Sequence, residues 1–177
     1  MTGTGRLTEA QLGAWRGFLQ AHAVLVRRLE ADLMAEHRLP LASYDVLVQL
    51  VEAPERRLRM TELAQRVLIS RSGLTRLVDR LEREGLVRRE ACDDDARGLF
   101  AVLTDAGFQR LRRASPTHLR GVASYAMDRL DQDQVQALAE ICARLLGTGS
   151  GNGGLPAARD GAEQVVPTAG LTTRPPA

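Results

Sequence analysis

Ser72, Thr75 and Arg76 lie three and four residues apart in a stretch, 71–84, whose apolar residues Leu74, Leu77, Val78 and Leu81 recur at i, i+3, i+4 and i+7. That period predicts a helix with one apolar face, and the Ser, Thr and Arg fall mostly off it, together with Asp79. Hydroxyls and a guanidinium projecting from the first turns of a helix are suited to reading base edges and bonding phosphate. The charge distribution agrees. Between Arg56 and Arg89 there are ten arginines and four acids, an excess of six, whereas the whole 177-residue chain carries only +2. All 24 basic residues are Arg, the better fork for phosphates and base edges, although a compositional bias of the source genome explains the same absence of Lys. The competing reading of this run is a solvated, salt-bridged helix face. Further along, Asp95 and Arg97 are two residues apart in a polar connection. An acid so placed can brace an Arg that reaches into a narrow minor groove, while an exposed turn with incidental charges has the same spacing.

Other chemistries find little support. Cys92 and Cys142 form no C-x-x-C or C-x-x-H motif, which argues against a disulfide scaffold or a thiolate zinc site. Cys92 sits beside Asp93, Asp94 and Asp95, where a thiolate is disfavoured, and Cys142 reads as a small core hydrophobe. His22, His37 and His118 are scattered without an i, i+4 partner, so no metal site and no cofactor is expected. There is no Gly-rich phosphate loop, no Gly-x-Ser-x-Gly elbow and no convergent His–carboxylate spacing, so no catalytic residue is nominated and the chain does not read as an enzyme. No segment approaches the ~18 apolar residues of a membrane span, and the polar, Gly-rich start is unlike a signal peptide. A cytoplasmic protein with no membrane partner is the expectation. Trp15, Phe18, His22 and Tyr44 could line a ligand cleft, although aromatic residues at helical spacing equally describe a dimer core.

The elements that would position these residues are legible in outline. A hydrophobic content of 44% with 26% charged residues describes one compact domain. Thr8 and Gln11 have capping-box spacing, and Trp15, Phe18, Leu19, His22, Val26, Leu29 and Leu33 carry an apolar stripe, so a long helix is predicted over 8–37, ending before Pro40. A second helix is predicted over 43–52. Thr61 can cap a short helix holding Leu63, Ala64 and Val67; a break follows at Leu68–Ile69; Ser70 offers the next cap; and Gly85 fits just past the end of the helix over 71–84. Two short helices joined by a tight turn make a helix-turn-helix. Two short strands, 86–89 and 99–103, would form a wing. Thr104 caps a long helix to about residue 129, with a kink or brief break expected at Pro116, and Asp131 with Gln134 opens a last helix to about residue 146. From 147 to 177 there are seven Gly and four Pro in 31 residues, the composition of a flexible tail.

The ordered set MTELAQRVLISRSGLTRLVDRLEREGLVRRE followed by DDDARGLFAVLTDAG resembles the MarR family of winged helix-turn-helix transcription regulators. The likeness spans about residues 8–146. It implies a mainly α fold with a small β wing, in which 8–37 and 105–146 form a helical dimerisation domain and 43–104 a DNA-binding domain. It also implies an obligate homodimer on a pseudo-palindromic double-stranded DNA operator. By position, Thr61, Ser70, Arg71, Ser72, Thr75 and Arg76 would meet DNA from the helix-turn-helix, with Asp95 and Arg97 as the wing pair. It further implies repression relieved by a small phenolic or anionic inducer between the two domains, where Trp15, Phe18, His22 and Tyr44 are the candidates. The alternative is an all-α small-molecule-binding protein or enzyme that does not bind DNA.

Overall fold

The computed structural model describes residues 6–92 and 95–147, with residues 95–97 described by their backbone. The expected tail lies outside the described residues from 148 onward. Helix α1, Glu9–His37, begins at Thr8, whose hydroxyl accepts from the Gln11 N–H while the Gln11 side chain accepts from the Thr8 N–H. It stops where Arg38 turns left-handed (φ 49°) ahead of the Leu39–Pro40 step. Helix α2, Leu41–Val51, starts two residues earlier than predicted. Pro40 directly precedes its first residue, and a proline at a helix entrance gives up an N–H that would have no helical partner anyway.

A strand too short to carry a periodic signal, β1 (Arg57–Arg59), precedes α3 (Met60–Arg66). Thr61 is not the cap predicted for it. The helix begins at Met60, two residues earlier than that cap implies, Arg59 occupies the cap position without a side-chain bond, and Thr61 lies in the first turn. The break at Leu68 is present, with Leu68 left-handed (φ 55°) and 88% exposed. Ser70 then caps α4, Arg71–Arg83, by accepting from the Gly73 N–H. Gly85 follows at φ 72°, a backbone region that disfavours other residues.

Strands β2 (Val87–Cys92) and β3 (Asp95–Leu103) make the wing hairpin, both longer than predicted. The sheet is antiparallel in the order β1-β3-β2, with Leu58 opposite Ala101 and Val87 opposite Leu103. Helix α5, Asp105–Tyr125, is capped by Thr104 and continues through Pro116, so of the expected kink or brief break there is no break. Pro116 removes one backbone donor, and its exposed position leaves the freed carbonyl side open to water. The helix ends four residues early, in a 3₁₀ turn at Met127–Arg129, and α6, Gln132–Leu145, opens on the predicted Asp131–Gln134 box.

One core joins these pieces. Leu47 and Leu50 of α2, Leu63 of α3, Leu74, Val78 and Leu81 of α4, and Val87, Ala101 and Leu103 of the sheet are buried together, with Leu33 of α1 and Leu111 and Ala114 of α5. The first half of α1 and all of α6 lie outside it. Trp15 and Phe18 stack with ring centroids 6.0 Å apart but stay about half exposed (55% and 47%), and α6 has no buried residue, with Ile141 53% exposed.

Candidate nucleic-acid interface

The reading face is built from the α4 entrance. Ser70, Arg71, Ser72, Thr75 and Arg76 are all exposed, while Leu74, Leu77, Val78 and Leu81 on the opposite side are buried. Ser70 spends its hydroxyl on the cap and lies 3.3 Å from the Ser72 hydroxyl. Thr75 donates to the Arg71 carbonyl (2.9 Å), so its hydroxyl oxygen keeps its capacity to accept. Thr61, exposed at the start of α3, lines a cleft of about 260 Å³ with Arg59, Met60, Thr75, Arg89, Gly98 and Leu99, between the helix-turn-helix and the wing.

The ten arginines of this region separate by what they touch. Arg56 lies over the Phe108 ring (4.3 Å), and Arg57 and Arg59 over Phe100 (5.0 and 5.5 Å). Arg66 pairs with Glu62 (2.7 Å), Arg80 donates to the Ser43 hydroxyl (2.7 Å), Arg83 donates to the Asp79 carbonyl (3.2 Å) and Arg88 pairs with Glu90. Arg89 holds both Asp79 and Glu82 at 2.6 Å. That leaves Arg71 and Arg76, neither of which has an ion-pair or hydrogen-bond partner for its guanidinium among the described residues. Both are exposed on the first turns of α4. The basic excess read from the sequence is thus mostly internal wiring, and its uncommitted part is concentrated at the reading face. Asp95 and Arg97 lie on β3, at the tip end of the wing; their side chains are outside the described residues.

The four nominated ligand residues are not gathered in one place. Trp15, Phe18 and His22 stand on the exposed face of α1, whereas Tyr44 is buried (5%) on α2, its ring 4.4 Å from that of His118 and its hydroxyl facing Ser115 at 3.5 Å. Two cavities flank α1 and α5, and neither is lined by any of the four. One, of about 540 Å³, includes Asp32, Glu36, Thr117, Arg120 and Tyr125; the other, of about 390 Å³, includes Gly17, Leu25, Arg28 and Arg129.

Sequence reasoning missed the seam between the long helices and the reading head. Of Ser43, Ser115 and Thr117, the polar residues that are buried among those described, the first two lie there, and Thr117 ties α5 to the end of α1 beside it. Arg80 of α4 reaches Ser43, Tyr44 faces Ser115, and Thr117 joins His37 Nε2 (2.8 Å) and Glu36 (2.7 Å). Burial holds the His118 imidazole below its ordinary pKa, consistent with a neutral ring packed on Tyr44. Among the described residues no cluster of His, Cys, Asp and Glu could hold a metal ion, and no helix is long and apolar enough to cross a membrane.

Asp45, exposed on α2 at the edge of this seam, has its pKa pushed up to about 6 by partial desolvation and then by the Glu30 carboxylate. A carboxyl raised in the fold contributes stability below its unfolded pKa and loses it as pH rises through the folded value. Asp45→Asn is therefore expected to melt above the unmodified protein at about pH 7.5, with the gap closing as pH falls through 6 toward about 4; water screening keeps the gain small. Melting curves at several pH values check this, and coincident curves at the higher pH would refute it.

A helix, a tight turn and a second helix exposing free guanidinium groups, backed by a three-stranded antiparallel wing, define a winged helix-turn-helix module of the DNA-binding class. Residues 39–98 match the sequence model of the MarR family. The chain is 41% identical to Sco3205, a MarR family regulator of Streptomyces coelicolor solved in complex with DNA, over 86% of this chain and 96% of that one, with a TM-score of 0.76. It is 35% identical to AbsC of the same organism, over 82% and 97%, with a TM-score of 0.75. It is 30% identical over 105 residues to the transcriptional repressor YetL of Bacillus subtilis, covering 58% of this chain and 63% of that one. The chain belongs to the MarR family, whose members are DNA-binding transcriptional regulators and not enzymes.

Proposed function

We propose that the chain is a cytoplasmic, homodimeric repressor that binds a pseudo-palindromic operator and leaves it when a small phenolic or anionic inducer binds. The observation that carries the DNA-reading part is the pair of uncommitted guanidinium groups, Arg71 and Arg76, beside Ser72 and Thr75 at the α4 entrance. Thr61 and Ser70 flank this face, and in this reading Arg97 would enter the minor groove with Asp95 as its brace. The kinship to a regulator solved on DNA and to a repressor points the same way.

The dimer is supported by apolar faces that a lone chain leaves bare. Trp15, Phe18 and Leu19 on α1, and Leu138, Ile141 and Leu145 on α6, recur at helical spacing and are all exposed. Residues 8–37 and 105–146 would form the dimerisation domain and 43–104 the DNA-binding domain. Trp15 and Phe18 then belong to the partner-facing surface together with His22, and Tyr44 borders the seam where an inducer would act. An inducer changes repression only by its differential affinity for the two arrangements of the reading heads.

Titration of the dimer into a duplex selected by the protein from a random pool tests the reading. Affinity is expected to fall steeply between about 50 and 200 mM salt as phosphate contacts release counterions. Footprints should show two half-sites about 34 Å apart on one DNA face. Equal affinity at both salt concentrations, or one isolated half-site, would overturn it.

A further inference from the structure

Arg89 stands on β2, on the wing side of the cleft that separates the wing from α4. Its guanidinium is engaged on three sides. Nη1 donates to Glu82 Oε2 (2.6 Å), Nη2 donates to Asp79 Oδ1 (2.6 Å), and Nη2 also reaches the Thr75 carbonyl (3.3 Å). Its backbone N–H donates to the other Glu82 oxygen (3.0 Å), so main chain and side chain hold the same carboxylate. The Arg89 side chain is only 20% exposed, unlike Arg88 beside it at 56%. Asp79 and Glu82 are one turn apart on α4, and Thr75 is one turn before Asp79, so a single planar group ties two turns of this helix to the hairpin.

We propose that Arg89 is a positioning residue for DNA recognition: its fork sets the angle between the reading helix and the wing, and so the register in which Thr75 and Arg76 meet bases while β3 carries Arg97 to the neighbouring groove. Two features separate this from an incidental surface ion pair. The fork is planar and reaches both acids at once through its two terminal nitrogens, a fixed geometry that an ammonium does not supply. Both ends of the link also sit beside proposed reading groups: Thr75 is itself bonded, and Arg76 is the next residue. The link also holds two of the four acids of the basic stretch on one guanidinium, which offsets one of their two negative charges.

The proposal rests on the DNA-binding reading above, and it reverses a simple electrostatic expectation. Removing two negative charges from a DNA-facing helix should tighten binding if charge alone matters. Under this proposal, Asp79→Asn with Glu82→Gln weakens binding to the pool-selected duplex roughly tenfold while affinity for a scrambled duplex holds or rises, so the specificity ratio falls. Arg89→Lys, which keeps the charge and loses the fork, loses specificity to a similar extent, with the salt slope unchanged. The measurements are binding curves for both duplexes at several salt concentrations, on variants whose melting curves remain cooperative. Should Arg89→Lys not fold, the single change Asp79→Asn carries the test. The proposal fails if the double acid variant binds the selected duplex as tightly as the unmodified protein or better. It fails equally if Arg89→Lys retains full affinity while Arg89→Gln lowers the salt slope by about one, the mark of a direct phosphate contact. An unmodified protein that binds neither duplex would instead overturn the DNA-binding reading itself.

Discussion

Arg76→Ala is expected to weaken binding to a selected duplex by about 1–3 kcal/mol, tenfold or more, without lowering the melting temperature. The two halves of that expectation have separate grounds. Arg76 is exposed and has no partner among the described residues, so its removal breaks no contact within the fold. It also lies one turn after Ser72 and beside Thr75 on the face turned away from the core, where a guanidinium can engage guanine or a phosphate. Arg71→Ala and Arg97→Ala should behave alike, with the Arg97 loss greatest on sites having a narrow, A·T-rich minor groove. Arg83→Ala is the control. Its Nε donates to the Asp79 carbonyl of its own helix, and its loss should leave DNA affinity close to the starting value. Equal losses at Arg76 and Arg83 would mean that bulk charge rather than a reading face holds the DNA.

Gly107→Ala is expected to destabilise the fold by about 3 kcal/mol, lowering the melting temperature by roughly 10 °C. A Cβ at this position would lie 2.1 Å from the Leu86 carbonyl oxygen and 2.8 Å from Leu103 Cδ1. The carbonyl cannot easily retreat. The Thr104 N–H and hydroxyl both bond to it (3.2 and 3.1 Å), and the Leu86 N–H is itself bonded to the Leu81 carbonyl (2.9 Å). Gly107 is therefore where the start of α5 lies directly on the root of the wing. Gly121→Ala offers a graded comparison, because its tightest neighbour, Leu29 Cδ2 at 2.7 Å, is the end of a side chain that can rotate. It should cost less. Thermal unfolding of both variants decides the matter, and a Gly107→Ala protein melting within a degree or two of the original would show that the strand root yields.

These two residues also mark what can be read from a sequence. Each cap that rests on a side-chain bond was legible: Thr8 with Gln11, Ser70, Thr104, and Asp131 with Gln134 all cap as their spacing predicts. Thr61 was misread because a Thr one residue inside a helix looks the same in sequence as one at its cap. Strand β1 was invisible because three residues have no period, and its existence depends on pairing with β3 across more than forty residues of chain. The wing strands were drawn short because a run of acids reads as loop, whereas cross-strand pairing continues to Cys92 opposite Asp95. The candidate interface was legible as a basic helix-turn-helix. That eight of its ten arginines are occupied by rings, carboxylates, a hydroxyl or a backbone carbonyl was not, since spacing alone does not say which arginine takes a near partner, as Arg66 and Arg83 do, and others, such as Arg56, Arg80 and Arg89, are met by separate elements. Tyr44 shows the same limit: its spacing places it on a helix but does not say that its ring turns inward onto His118.

The hydroxyl-lined contact at Ser43 and Ser115, where α2 meets α4 and α5, has a mechanical meaning. Interlocked leucines resist sliding because each displacement opens a void, whereas a hydroxyl can trade one acceptor for another within a small movement. Beside the leucines of the shared core, such exchangeable bonds would let one side shift a little against the other without losing every partner. A small tilt of one side over the other is the motion that would change how far apart a pair of reading heads stands along a double helix.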